Sequence, residues 1–286
     1  MRAVSQFRVT ANGLFDREAA LGTLAAHAVD GLHLLDTDSA ELTRSIAVHG
    51  DPQPVTVRLD AEGAAVATAT HDEGVNEKIA ARVRFWFDLD TDVNRVNIHL
   101  GAHPVFAEQV RSRPGIRITR FHAPFEAVIL TVLGQQVSFA AGRLFGARLV
   151  AAYGTTPIKV DRESGLRCFP SPAVLSSVPT EELRAAIGLT GIRARTVHEV
   201  ASLFAEAGDP EQLPERTELH AVHGVGPWTL DYPAIRASTD TDAFPATDAV
   251  LRRTLAAADQ DADAARVASW CPYRSYAASR LWAGAI

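Results

Sequence analysis

The stretch that most constrains this chain is Leu219 to Arg253, LHAVHGVGPWTLDYPAIRASTDTDAFPATDAVLRR. At its centre Gly224-Val225-Gly226-Pro227 separates two apolar-periodic segments. Leu219 and Val222 lie at i and i+3 before it, and Trp228, Tyr232 and Ile235 recur at the helical period after it. Two glycines one residue apart let the backbone turn sharply and approach another surface. Proline suits the first turn of a helix, where its missing N–H is not needed. The free N–H groups at such a helix start sit at the positive end of the dipole, so the turn predicts a phosphate site that needs no basic side chain.

The rest of the chain is consistent with a folded protein of more than one unit. Its 286 residues can hold two or three compact domains, and 47% hydrophobic content supports real cores. No apolar run reaches the ~18 residues needed to cross a bilayer, and MRAVSQFRVTANGLF lacks the apolar core of a secretory signal. A soluble, cytoplasmic protein is the expectation. Cys168 and Cys271 are too few for a disulfide framework and form no CxxC. Cys271 reads as a nucleophile or, more simply, as a small buried packing residue. The histidines show no HExxH spacing, so no zinc is placed. A net charge of −6 argues mildly against nucleic acid. Against it stands VRSRPGIRITR, whose Arg111, Arg113, Arg117 and Arg120 read either as a local positive face or as a solvated one.

Taken in order, residues 1–92 predict a mixed α/β domain. Ala19–Val29 is a short apolar helix, and GLHLLD and SAELTRSIAVHG suggest strands. PVTVRLD, a turn at Ala61-Glu62-Gly63, and AVATATHD read as an antiparallel hairpin, followed by a helix over Asn76–Phe87. From residue 93 the chain becomes helical. Asn94–Arg111 predicts one helix, ended by Arg113-Pro114-Gly115. Ala123–Tyr153 predicts a long helical region interrupted at Gly134-Gln135-Gln136-Val137-Ser138. Phe169-Pro170-Ser171-Pro172 is a helix entry, Thr180 opens the next helix, and GLTGIRAR is a junction before a helix over Thr196–Glu206. The core divides into a middle lobe, 118–239, that carries the hairpin, and a second lobe formed by 93–117 with 240–286.

Three stretches together carry a resemblance. They are GVGPWT with Asp248 twenty positions beyond Trp228, LGQQVS at 133–138, and the tail SWCPYRSYAASRLWA. The chain resembles the DNA-3-methyladenine glycosylase II type of the helix-hairpin-helix DNA glycosylase superfamily, whose tail reads W-x-P-W-R-S-Y-A-x-x-x-L-W. Tyr273 replaces the usual second tryptophan. The branch with a four-cysteine iron–sulfur cluster is excluded by the cysteine count. The resemblance implies an α+β protein, an antiparallel-sheet domain followed by a mostly helical core. It implies a monomer acting on double-stranded DNA with alkylated bases, with no obligate protein partner and, in a bacterium, nucleoid association. It assigns Gln136 as the wedge that fills the gap left by an extruded nucleotide, and Gly224, Val225, Gly226 and Thr229 to the DNA backbone. It implies no required cofactor, and a structural sodium or potassium ion on the main-chain carbonyls of His220 and Val222. Relatives that also cut the backbone carry a lysine where this chain has Trp228. The only lysines are Lys78 and Lys159, so no lyase step is expected.

Extruding a base requires walls to stack it, and an alkylated purine is cationic, so aromatic faces attract it. Trp228 and Tyr232, at i and i+4, share one face of the second hairpin helix. Aromatics at that spacing are commonly core, but their place beside the hairpin makes them base-binding candidates, with Tyr273 as a further wall. The family often places an aromatic on its opening helix, where this chain has Thr23. Asp248 is the catalytic candidate, because base excision leaves a sugar with oxocarbenium character that a carboxylate stabilises. An aspartate before Ala249-Val250-Leu251 is equally an ordinary helix cap, and the two roles coexist in the family. Asp231, Asp240 and Asp242 are rivals, and Arg252 and Arg253 form a solvated face or reach phosphate. Rival functions are a glycosylase for oxidised or mismatched bases, and a non-catalytic clamp that keeps the hairpin alone.

Overall fold

A computed structural model describes residues 5–157, 164–257 and 264–285. The fold opens with a five-stranded antiparallel sheet and continues as a mostly helical core. Strands β1 (Ser5–Thr10), β2 (Leu34–Asp36), β3 (Glu41–Val48), β4 (Asp51–Asp60) and β5 (Gly63–Thr68) lie in the order β1-β5-β4-β3-β2. The β4–β5 hairpin pairs Asp60 with Gly63 and Val55 with Thr68, so the turn is where the sequence places it. Inward-facing Val55, Val57, Leu59, Ala64 and Val66 pack against Ile79, Val83 and Trp86 of α2 (Glu73–Trp86). That alternation is the period-2 signature of a half-buried sheet. The edge strand β1 is not anticipated by the sequence reading; its pattern alternates but buries only Val9 fully.

Between β1 and β2 lies α1 (Arg17–His27), capped by Asp16, whose Oδ1 accepts from the Ala19 N–H at 2.8 Å. The helix expected over Asn94–Arg111 is two, α3 (Val93–Gly101) and α4 (Pro104–Ser112). Pro104 lacks the N–H to continue α3 and begins α4 instead, a break the unbroken apolar periodicity hides. Next come α5 (Pro124–Gly134) and α6 (Phe139–Tyr153), with Ser138 capping α6 through the Ala141 N–H. Then follow α7 (Pro172–Ser177), α8 (Thr180–Ile187) and α9 (Gly191–Ala207). The last begins five residues earlier than expected, because Thr190 caps it and GIRAR is already helical. The hairpin helices are α10 (Arg216–Ala221) and α11 (Pro227–Ala237), followed by α12 (Ala249–Ala257), α13 (Ala264–Ser269) and α14 (Arg274–Ala283). No helix among the described residues is long and apolar enough to cross a membrane.

Two further apolar clusters fill the helical core. One gathers Phe125, Val128, Val132, Val197, Phe204, Leu219 and Leu230 from α5, α9, α10 and α11. The other gathers Val96, Leu100, Phe106, Leu251 and Tyr276 from α3, α4, α12 and α14, with Trp270 from the turn after α13. Ile235 of α11 belongs to this second cluster, so α11 is packed on both sides.

The arginines of VRSRPGIRITR do not form a positive face. Arg117 and Arg120 are buried. Arg117 donates to the main-chain oxygens of Asn12, Leu14, Asp88 and Thr91, and Arg120 to Ser238 O, Phe85 O and Asp88 Oδ1. A guanidinium has five donors in a fixed fork, which suits it to tie carbonyls of separate segments. Arg113 pairs with Asp16 and Arg111 with its neighbour Glu108. A second buried tie joins sheet and core: Arg44 of β3 donates to both oxygens of Glu126 on α5, at 3.0 and 2.6 Å. Cys271 is exposed rather than packed inside, and its thiol donates to Asp242 Oδ2 at 3.2 Å.

Candidate active site and nucleic-acid interface

The hairpin is held from behind by α9. Gly224 has φ +86, and a Cβ there would overlap the Thr196 hydroxyl, so only glycine fits. Thr196 Oγ1 donates to His223 O at 2.7 Å, and the His223 N–H donates to Glu199 at 3.1 Å. Gly226 has extended backbone with open space where a side chain would project. Helix α11 starts at Pro227 with no side chain capping it. The N–H groups of Trp228 and Thr229 therefore have no intrahelical partner, which is the arrangement an anion fills.

The α5–α6 junction is fastened to this hairpin. Gln135 Nε2 donates to Gly224 O at 2.9 Å and to Thr229 Oγ1 at 2.7 Å. Arg193 of α9 donates to Gln135 O. Its neighbour Gln136 is exposed and sits at φ +54, a left-handed conformation that costs a non-glycine residue ~1–2 kcal/mol. Anchoring Gln135 while straining Gln136 turns the Gln136 side chain away from the junction's own contacts.

Between junction and hairpin lies a cavity of about 850 Å³, within the size range of small-ligand sites. Trp228 and Tyr232 line it with rings stacked at 5.2 Å, and Trp282 of α14 meets Tyr232 edge-on at 5.3 Å. Thr23 and His27 of α1 also line it, with Phe121 and Phe139. His27 Nε2 lies 3.2 Å from the Tyr232 hydroxyl. Burial, reinforced by Arg236, lowers the His27 pKa to about 3, and burial raises that of Tyr232. Tyr273 is elsewhere. It packs on His99 and Tyr276 against the Phe106–Trp270 cluster and does not line the cavity; Trp282, nine residues on, does.

Asp248 closes the cavity beside Trp228. Its Oδ1 accepts from the Val250 and Leu251 N–H groups at 3.0 Å and from Trp282 Nε1 at 3.2 Å; its Oδ2 accepts from Trp228 Nε1 at 2.8 Å. Capping and cavity placement thus coexist in one side chain. Three donors crowd Oδ1 and one meets Oδ2, so Oδ2 keeps a lone pair for chemistry. The rival aspartates are occupied or remote: Asp231 pairs with Arg216, Asp242 with Arg274, and Asp240 accepts from the Asp242 N–H. None lines the cavity. Arg253 lines it, Arg252 does not, and both are exposed. Lys78, on α2, lines a separate cleft, and Lys159 lies outside the described residues.

Sequence reasoning missed His27, Phe121, Trp282 and Arg236 as cavity walls. Only Arg236 carried a readable signal, since it continues the Trp228–Tyr232 stripe by another turn.

Residues 6–122 match the AlkA N-terminal domain, and residues 129–266 match the HhH-GPD superfamily of base excision DNA repair proteins. The chain is 39% identical over 215 residues to the probable bifunctional transcriptional activator/DNA repair enzyme AlkA of Mycobacterium tuberculosis. That match covers 71% of this chain and 42% of the relative, so the chain spans less than half of that protein's length. It is 28% identical to DNA-3-methyladenine glycosylase 2 of Escherichia coli over 275 residues, 94% of this chain and 93% of the relative. In fold it is similar to the 3-methyladenine DNA-glycosylase from Archaeoglobus fulgidus, with a TM-score of 0.80 at 17% identity, covering 96% and 97% of the two chains.

Proposed function

The chain belongs to the HhH-GPD superfamily of base excision DNA repair proteins, joined to an AlkA N-terminal domain, and from that premise we propose that it is a monofunctional DNA glycosylase that excises alkylated purines from duplex DNA. The observation that carries this reading is Asp248, fixed by four N–H donors at the edge of an aromatic cavity beside a phosphate-binding turn. A non-catalytic clamp needs the turn but neither the carboxylate nor the cavity.

In the mechanism, the N–H groups of Gly224, Gly226 and Thr229 hold a backbone phosphate, and Val225, whose own N–H stays on Val222 O, spaces the two glycines of the turn. Gln136 occupies the gap in the stack, and the extruded base enters between Trp228–Tyr232 and the α1 wall. The C1′–N bond breaks with its electron pair leaving on the base, so a cationic alkylpurine departs neutral and no general acid is required. Asp248 Oδ2 stabilises the developing oxocarbenium ion. Water then adds to C1′, and its proton passes to Asp248 or solvent.

A Schiff-base lyase step needs an amine at the sugar. Trp228 stands at the family's lysine position, and no lysine among the described residues lines the cavity. The carbonyls of His220 and Val222 lie at the C-terminal end of α10, where the dipole favours a cation. Among the described residues Val222 O accepts the Val225 N–H alone, at 3.1 Å, leaving it room to ligate. A sodium or potassium ion held there would supply positive charge near the bound phosphate. The protein acts as a monomer on DNA containing alkylated bases.

The test is release of 3-methyladenine and 7-methylguanine from methylated duplex DNA, run beside borohydride trapping on an abasic duplex. Free base without a trapped covalent complex is expected. Duplex binding without base release would establish the clamp, and a trapped complex would overturn the monofunctional assignment.

A further inference from the structure

Gln135 is bound from two sides. Its Nε2 spends both hydrogens on the hairpin, one on Gly224 O at 2.9 Å and one on Thr229 Oγ1 at 2.7 Å. Gly224 O can only accept, so the amide nitrogen faces the hairpin. From α9, Arg193 donates to the main-chain oxygen of Gln135. Arg193 Nε is buried with no partner among the described residues, and its guanidinium carbon lies 5.8 Å from the ring centre of Phe145 on α6. A buried donor without an acceptor costs free energy and calls for an explanation.

Cohesion does not call for these bonds. Val128, Val132 and Leu133 of α5 already pack with Val197 of α9 and Leu230 of α11 in one apolar cluster. What the bonds add is register. Thr229 carries an N–H free for a phosphate and a hydroxyl that holds Gln135, so one residue touches both the bound strand and the junction. Gln136 follows about 3.8 Å further along the Cα trace, exposed and at φ +54. A sparsely populated conformation persists only where its surroundings over-determine it, and Gln135 is where those surroundings are attached.

We propose that Gln135 is a positioning residue that couples the hairpin's grip on a phosphate to the placement of Gln136, so that the wedge enters the base stack in register with the held strand. This inference rests on the glycosylase reading and concerns how the same site opens the duplex. Without the tie, Gln136 is free to leave its left-handed conformation, and the phosphate is held while the wedge is no longer aimed.

The test is a double-mutant cycle of Gln135→Met, which keeps length without hydrogen bonds, and Gln136→Ala. One readout is single-turnover release of 7-methylguanine from methylated duplex DNA. A second needs no chemistry: 2-aminopurine in the strand opposite an abasic site, whose fluorescence changes when a side chain enters the stack. A third is affinity for undamaged duplex, which reads the phosphate grip. Gln135→Met is expected to slow release by roughly 5- to 150-fold, the worth of two neutral hydrogen bonds, and to diminish the 2-aminopurine signal. Undamaged-duplex affinity is expected to fall by less than about threefold. In the Gln136→Ala background Gln135→Met is expected to cost less than about twofold more, because it acts through the side chain already removed. Losses that multiply, an affinity that falls as far as the rate, or an unchanged rate and signal would each overturn the coupling. If melting shows that Gln135→Met does not fold, Thr229→Val, which removes one acceptor, replaces it in the same cycle, and Thr229→Ser, which keeps the hydroxyl, is expected to lose less. If no protein releases base, the glycosylase reading fails by itself and the 2-aminopurine cycle still decides the coupling.

Discussion

Replacing Gly224 by alanine should separate two costs that the hairpin geometry superimposes. At φ +86 an L side chain bears ~1–2 kcal/mol of left-handed strain. The new methyl would also overlap the Thr196 hydroxyl, with Thr196 Cβ and Cγ2 at 3.5 and 3.6 Å. Displacing that hydroxyl breaks its 2.7 Å bond to His223 O, a further net ~0.5–1.5 kcal/mol. Gly224→Ala should therefore destabilise the protein by roughly 2–3 kcal/mol. Thr196→Ala removes the obstructing atom but not the strain. The double variant should be more stable than the two single losses combined predict, by about 1 kcal/mol. Urea unfolding of the four proteins measures the cycle, and fluorescence anisotropy on an abasic duplex reads the hairpin's phosphate grip, which should weaken in Gly224→Ala. Strictly additive losses, or an alanine variant of unchanged stability and DNA affinity, would refute the buttress.

Trp228→Phe removes the one donor to Asp248 Oδ2 among the described residues and should slow single-turnover release by roughly 10- to 100-fold, the worth of a hydrogen bond to a charged group. Trp282→Phe leaves Oδ1 two helix N–H donors and should cost less; the reverse ranking would contradict the assignment of Oδ2 as the reacting oxygen. Gln136→Ala should reduce release from a paired lesion more than from the same lesion opposite an abasic gap, while urea stability changes by no more than ~1 kcal/mol; an equal loss on both duplexes would deny it the wedge role. Acid should destabilise the fold steeply, because burial first and neighbouring cations second hold His27 and His33 at about 3 and His122 at about 4. A histidine with a depressed folded pKa binds its proton only on unfolding, so its contribution is whole above the unfolded value near 6.5 and is lost as pH falls toward the folded values. Three such groups give a slope approaching ~4 kcal/mol per pH unit near pH 5, and flat urea midpoints between pH 7 and pH 5 would contradict their buried, neutral state.

Features written in local chemistry were legible in the sequence. Gly224 and Pro227 place the turn, Ser138 marks the α6 start, and Asp248 before an apolar run marks the start of α12. The β4–β5 hairpin is readable from alternation around Glu62-Gly63. What was illegible depends on contacts distant in sequence. His27 enters the cavity from α1 and meets a tyrosine 205 residues away. Trp282 reaches Asp248 across 34 residues. Arg117 and Arg120 read as surface because a charge run carries no sign of the carbonyls that will enclose it. Tyr273 stands where the motif has a tryptophan, yet α14 starts just after it and its ring packs against His99 of α3. Arg236 lay on the same stripe as Trp228 and Tyr232, but a single charged residue in that register gives no indication that rings will close over it.

The central claim is that Asp248 drives base excision, and the most direct measurement is single-turnover release of 3-methyladenine by the unaltered protein and by Asp248→Asn. Asparagine keeps the size and an acceptor for the helix cap but removes the charge, and its amide places donors where the indole N–H groups point. Release by the unaltered protein, with a loss of roughly a hundredfold or more in the variant and abasic-duplex binding retained, is the predicted result. Equal release by both proteins would contradict it.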